Sequence, residues 1–179
     1  MKRIAIGLAI GLSFVIANIA YGATQGSSTS TVDATIVPTL VMSLTGASYD
    51  MGALPIGTTE KNDAQGVSVQ SNVDYNIKAK SDKATMQEYI TASAAYATDT
   101  TRTLQYALKA KETAQAVLTT IGTTEAVVQG CSDLEHTGNA ATVTYIDYSQ
   151  QIDYADEALP SGRTHHCVLT FSVYQNALE

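Results

Sequence analysis

Residues 67–80 read VSVQSNVDYNIKAK, and along them Val67, Val69, Ser71, Val73, Tyr75, Ile77 and Ala79 alternate with Ser68, Gln70, Asn72, Asp74, Asn76, Lys78 and Lys80. A strand repeats every two residues, so the pattern predicts an extended ribbon with one side in a core and the other in water. A fold built on such ribbons must cover their apolar faces with a second layer.

The alternation recurs along the chain. In TVDATIVPTLVMSL, Val32, Ala34, Ile36, Pro38, Leu40, Met42 and Leu44 share one parity, which predicts a strand of unusual length. Pro38 sits at its middle with no N–H for a ladder, so the ribbon must lie at an edge, bulge, or divide in two. Residues 49–66 read mostly as loop, with a short strand around Met51–Leu54. TLQYALKAK at 103–111 places Leu104, Tyr106 and Leu108 on one face. Residues 112–130 mix helix and strand signals, and their Val, Thr and Ile content predicts two short strands with a turn at Gly122. TVTYIDYSQQIDYA at 142–155 sets Ile146, Tyr148, Ile152 and Tyr154 on one side, interrupted by Gln150, and the last run turns Cys167, Leu169, Phe171 and Val173 inward. Seven to nine strands are expected, with no long helix beyond the leader and no fixed-period repeat. That pattern predicts an all-β chain forming a two-sheet antiparallel sandwich, with a closed barrel as the other architecture.

The chain opens MKRIAIGLAIGLSFVIANIAYGA, in which Lys2 and Arg3 precede an apolar run from Ile4 to about Ala17, and small residues follow at Ala20 and Gly22. This order predicts a secretory signal peptide over 1–22 and a secreted, extracellular or cell-surface product. The run is shorter than the roughly 20 apolar residues that a membrane span needs. Small, polar ATQGSSTS follows, and residues 23–38 read as an extension before a single domain at 39–179. Lys2 and Arg3 leave with the leader, so the 10 basic residues become 8 against 17 acidic ones. Such a surface repels phosphate backbones and speaks against nucleic-acid binding, and no basic amphipathic segment points to a membrane. Two cysteines remain, Cys131 and Cys167. An even count in an exported chain favours a disulfide, and closing that loop stabilises by roughly 3–4 kcal/mol, while two buried thiols are the alternative.

Chemistry-bearing residues are sparse. His165 and His166 are adjacent on an expected strand, point to opposite faces, and so do not easily share a metal. Asp147, Asp153, Asp156 and Glu157 gather acidic oxygens without a calcium-loop pattern. Tyr145, Tyr148 and Tyr154 suit a carbohydrate-binding stripe or the filling of a core. Neither a Gly-x-Ser-x-Gly elbow nor a phosphate-binding glycine loop is present in the mature chain. No catalytic, cofactor-binding or metal-binding residue is therefore expected, and the protein reads as other than an enzyme.

Four segments in order, YDMGALPIG, VSVQSNVDYNIKAK, LQYAL and ALPSGRTHHCVLTFSV, resemble secreted pilin-like immunoglobulin-type sandwiches. That group takes in spore-coat-type and chaperone–usher-like pilins and the donor-strand bundling pili of archaea. The resemblance implies an immunoglobulin-like, pilin-like fold and assembly by strand donation into a homopolymer, an extracellular pilus or fibre. Residues 23–38 would be the donor strand, with Val32, Ala34 and Ile36 as its plugs, and would reach about 50 Å at roughly 3.3 Å per residue. The alternative is that this ribbon is the domain's own first strand, leaving a monomeric secreted adhesin or glycan-binding sandwich. Expected partners are further copies of the chain, with a surface or glycan receptor as a possible addition.

Overall fold

Inward-facing apolar residues at every second position need strands on both sides to hold their backbones, and the chain supplies them by antiparallel pairing throughout. The computed structural model describes residues 31–98 and 102–176. The leader at 1–22 and residues 23–30 of the extension lie outside the described residues. The chain divides into two units, Met1–Thr35 and Ile36–Glu179. Of the first, residues 31–35 are described, and they belong to no strand.

The described residues of the second unit hold eleven strands: β1 Leu40–Leu44, β2 Gly57–Ser71, β3 Tyr75–Ser81, β4 Gln87–Ile90, β5 Ala95–Tyr96, β6 Lys109–Glu112, β7 Thr119–Thr120, β8 Ala126–Val127, β9 Thr142–Ile152, β10 Arg163–His166 and β11 Leu169–Gln175. The protein is all-β, with no helix among the described residues. The strands form a five-stranded sheet in the order β1-β2-β9-β6-β7 and two three-stranded sheets, β11-β3-β8 and β10-β4-β5. Every pairing between named strands is antiparallel. The β11–β3 ladder ends at Leu169 opposite Ser81, and β10–β4 begins again with His166 opposite Gln87, so residues 82–86 act as an insertion in one ribbon.

The 67–80 ribbon is two strands rather than one. Its apolar parity runs through, with Val67, Val69, Tyr75, Ile77 and Ala79 all buried, but Asn72–Asp74 turns the chain from the five-stranded sheet into the next. The corner holds because the Ser71 hydroxyl lies 2.6 Å from Val73 O, to which it donates, and 3.2 Å from the Val73 N–H, which it accepts, while Asp74 Oδ1 anchors the turn by accepting the His136 N–H at 2.9 Å. Residues 57–66, expected as loop, are the first two-thirds of β2. Their turn-like residues serve a bulge: Lys61 pairs with Tyr148 and Gln65 with Ile146, so β2 carries two extra residues there. Asp63 lies in the bulge at φ 49 and donates its N–H to Asp147 Oδ1 at 2.8 Å. The strand expected around Met51–Leu54 is absent; Met51 instead folds into the core from a loop that sets Tyr49 edge-on to Tyr148. The two short strands expected around Gly122 are β7 and β8.

The core joins the five-stranded sheet to β3 and β11 through Val67, Val69, Ile77, Ile146 and Phe171. Gln150, fully buried within β9, is held by donating Nε2 to Tyr106 O at 2.9 Å and Gln151 O at 3.0 Å. Glu88 is also buried, and its carboxylate takes Arg163 Nη1 at 2.5 Å and Arg102 Nη1 at 3.7 Å. A charge there survives only when paired.

Ile77 is fully buried and Val41 is 59% exposed. Urea unfolding of Ile77→Ala is therefore expected to show a loss of about 2–5 kcal/mol, and Val41→Ala a change within about 0.5 kcal/mol.

Candidate functional site

The N-terminal ribbon divides at Pro38. Beyond it, β1 pairs with β2 over Leu40–Leu44, with Leu40 opposite Ser71 and Leu44 opposite Val67. Just before it, Val37 is tied to the domain. Asn72 makes the tie, accepting the Thr39 N–H at its Oδ1 (2.7 Å) and donating Nδ2 to Val37 O (3.1 Å) and its own N–H to Thr39 O (3.3 Å). Residues 31–36 lie outside any strand and are exposed, so Val32, Ala34 and Ile36 keep their alternation with nothing covering it; Val32 is 87% and Ile36 83% exposed.

The large sheet and the β11-β3-β8 sheet differ in how their two ends are held. The β6–β7 end of the large sheet is laced to β8: Glu112 N–H donates to Gln129 O at 2.8 Å, the Thr119 hydroxyl to Val127 O at 3.2 Å, and Gln129 N–H to Thr119 Oγ1 at 2.9 Å. Ser81 N–H closes the same side by donating to Gly122 O at 2.8 Å. The opposite ends of the two sheets are β1 and β11. Phe171 of β11 is buried, but the other inward side chains of the two strands are only partly covered. On β1, Leu40 and Met42 are partly buried and Leu44 is 40% exposed; on β11, Leu169 and Val173 are partly buried. One strand further in, Val67 and Val69 on β2 and Ile77 on β3 have no exposed surface at all. Cover thus falls off from β2 and β3 toward the two outer strands. An edge strand also carries a row of main-chain N–H and C=O groups for another chain to pair with.

The remaining sequence-marked residues do not converge. Cys131 and Cys167 are free thiols, and the expected disulfide is absent. The register explains the separation. Cys131 O accepts the Ile77 N–H, whereas Cys167 interacts with the Ser81 side chain. Four residues of strand place those positions about 13 Å apart, against the less than about 7 Å between Cα atoms that a disulfide requires. Burial, helped by the Glu112 carboxylate, pushes the Cys131 thiol up to about 12, and burial also raises Cys167. His166 stacks on Tyr89 with ring centroids 4.3 Å apart, while His165 Nε2 lies 3.4 Å from Glu157 O and its buried Nδ1 has no partner. No group of three or more potential metal-binding side chains occurs among the described residues.

The four acids of the 147–157 stretch go separate ways. Asp147 is buried beside Lys111; Asp156 accepts the Asp153 N–H at 2.7 Å and the Gln105 N–H at 2.8 Å; Glu157 pairs with Arg102 at 2.6 Å. Tyr148 is buried while Tyr145 is half-exposed and Tyr154 is 90% exposed, so the three form no common stripe. An open cleft of about 490 Å³ on the large sheet is bounded by Asp63, Thr113, Gly130, Leu134, Val143 and Tyr145. No helix among the described residues is long and apolar enough to cross a membrane. The partly covered edge strands β1 and β11 were not singled out in the sequence. Their signal was only that both strands lie near the ends of the domain.

No protein-family model matches the chain, and a search of curated proteins finds no match to it.

Two free thiols set two expectations. Reductant leaves Tm unchanged, and a thiol reagent counts both cysteines only after unfolding. Stability derived from keeping Cys131 neutral is fully present below the unfolded thiol value of 9.0 and is lost as pH rises through about 12. The urea midpoint therefore declines from about pH 9 upward, and declines less steeply in Cys131→Ala.

Proposed function

We propose that this chain is a structural subunit of an extracellular pilus or fibre, polymerising by donation of its N-terminal strand into a neighbouring copy. The observation that carries this reading is the exposed alternating stretch at residues 31–36, in a domain whose β1 and β11 edges leave Leu40, Met42, Leu44, Leu169 and Val173 only partly covered. In the assembled fibre, Val32, Ala34 and Ile36 of one copy fill the gap between β1 and β11 of the next. Residues 31–37 match the seven-residue β11 in length. At roughly 25 cal/mol per Å² of apolar surface removed from water, the three side chains contribute several kcal/mol, and ladder hydrogen bonds set direction and register. Because donor and acceptor are different surfaces, the contact is head-to-tail and propagates as an open filament.

The finer architecture in this reading is an immunoglobulin-like, pilin-like sandwich. The five-stranded sheet forms one layer and β11-β3-β8 the other, both contributing to one core, with β10-β4-β5 prolonging the second. The signal at 1–22 directs the chain out of the cell, and the role is mechanical rather than catalytic. A monomeric adhesin or glycan-binding module is the competing reading. Its motivating tyrosines share no platform: Tyr148 is buried on β9, Tyr145 is exposed on β9, and Tyr154 lies on the loop after it.

Mixing two complementary variants tests donation directly. A chain lacking residues 23–37 keeps its acceptor edges but cannot donate; a chain carrying Leu44→Lys and Val173→Lys keeps its donor but cannot accept. Neither should form filaments in negative-stain microscopy, and a mixture should give a one-to-one dimer. Wild-type-like filaments from the truncated chain would remove strand donation from consideration.

A further inference from the structure

Lys111 on β6 and Asp147 on β9 are direct cross-strand partners, and their side chains meet at Nζ–Oδ2 3.8 Å. Both are withdrawn from water, with side chains 14% and 3% exposed. The other carboxylate oxygen, Oδ1, is already occupied: Asp63 N–H donates to it at 2.8 Å, and the Thr113 hydroxyl lies 2.7 Å from it. The arrangement therefore treats the two oxygens of Asp147 differently. One is held by a fixed main-chain donor and a hydroxyl; the other faces an amine.

From this geometry we infer that Lys111 and Asp147 condense to an intramolecular amide that staples β6 to β9. Nζ attacks Cγ, and negative charge develops on Oδ1, where the Asp63 N–H and the Thr113 hydroxyl receive it. The Cγ–Oδ2 bond then breaks and Oδ2 leaves as water. The ion pair contains every atom required: the ammonium gives up two protons to Oδ2 and keeps one as the amide N–H, and the opposite charges cancel. No oxidant, nucleotide or other reagent enters. The Asp63 carboxylate, 3.0 Å from the same Thr113 hydroxyl, is placed to relay a proton. Reaching the roughly 3–3.5 Å of a near-attack geometry takes only a small rotation of the lysine side chain, and exclusion of water favours the neutral product over the buried ion pair.

The bulge in β2 has a role in this. Its extra residues bring the Asp63 N–H over Asp147, which a regular β2 ladder, using its N–H groups on β9 main chain, would not do. The inference is independent of fibre assembly, since donor and acceptor belong to one chain.

Intact-mass measurement of the purified full chain, beside its Lys111→Arg variant, decides the matter. The wild type should be lighter than its sequence by one water, and digestion should yield a branched peptide joining the segments around residues 111 and 147. Lys111→Arg should restore the full mass, allowing for the substitution itself. Asp147→Asn should still react but lose ammonia in place of water, which separates this linkage from dehydration elsewhere. A wild-type mass with no deficit, or a deficit that persists in Lys111→Arg, overturns the proposal.

Discussion

The ladder between β2 and β9 is the interaction on which the other parts of the domain depend. It lies inside the five-stranded sheet, runs from Gly57 opposite Ile152 to Val69 opposite Thr142, and fixes which residues of both strands face inward. β1 takes its register from the far side of β2, and β6 takes its register from the far side of β9. A slip of one residue would turn Val67, Val69, Ile146 and Tyr148 to the wrong face and unmake the core at once. The bulge at Lys61–Gln65 prevents such slippage, because Asp63 and Asp147 match in only one register.

Legibility from the sequence followed this dependence. β11 could be read because its apolar positions alternate without interruption, and β9 because Ile146, Tyr148 and Ile152 keep one parity despite Gln150. The first part of β2 could not, since Asn62, Asp63 and Gly66 are loop residues by composition and become strand only through β9. The break in the 67–80 ribbon was equally hidden: Asn72 and Asp74 fit the wet side of a strand as well as they fit a corner. Of the candidate site, the uncovered N-terminal stripe and its division at Pro38 were visible, because a proline's missing N–H is a local fact. The partly covered margins of β1 and β11 were not, because exposure of Leu44 or Val173 depends on these strands ending their sheets, which strand order decides. The thiols were misjudged for the same reason: distance between Cys131 and Cys167 is set by register along β3, which spacing in sequence does not encode.

Polar residues do much of the specifying where the apolar pattern is silent. Glu88 with its two arginines, Gln150 within the sheet and Asp147 beneath the bulge are each buried and hydrogen-bonded or ion-paired to distant segments. Apolar contacts tolerate small shifts, whereas a buried carboxylate or amide accepts few arrangements. These residues therefore select one packing among many that would hide the same greasy surface.

Asn72 has a mechanical consequence. Tension carried along the N-terminal stretch enters the folded domain at Val37 and Thr39, where one amide side chain grips main chain on both sides of Pro38 before the β1–β2 ladder begins. Load would reach that grip first and the ladder's end pair only afterwards. A chain pulled from that end thus has a small sacrificial latch ahead of its sheet.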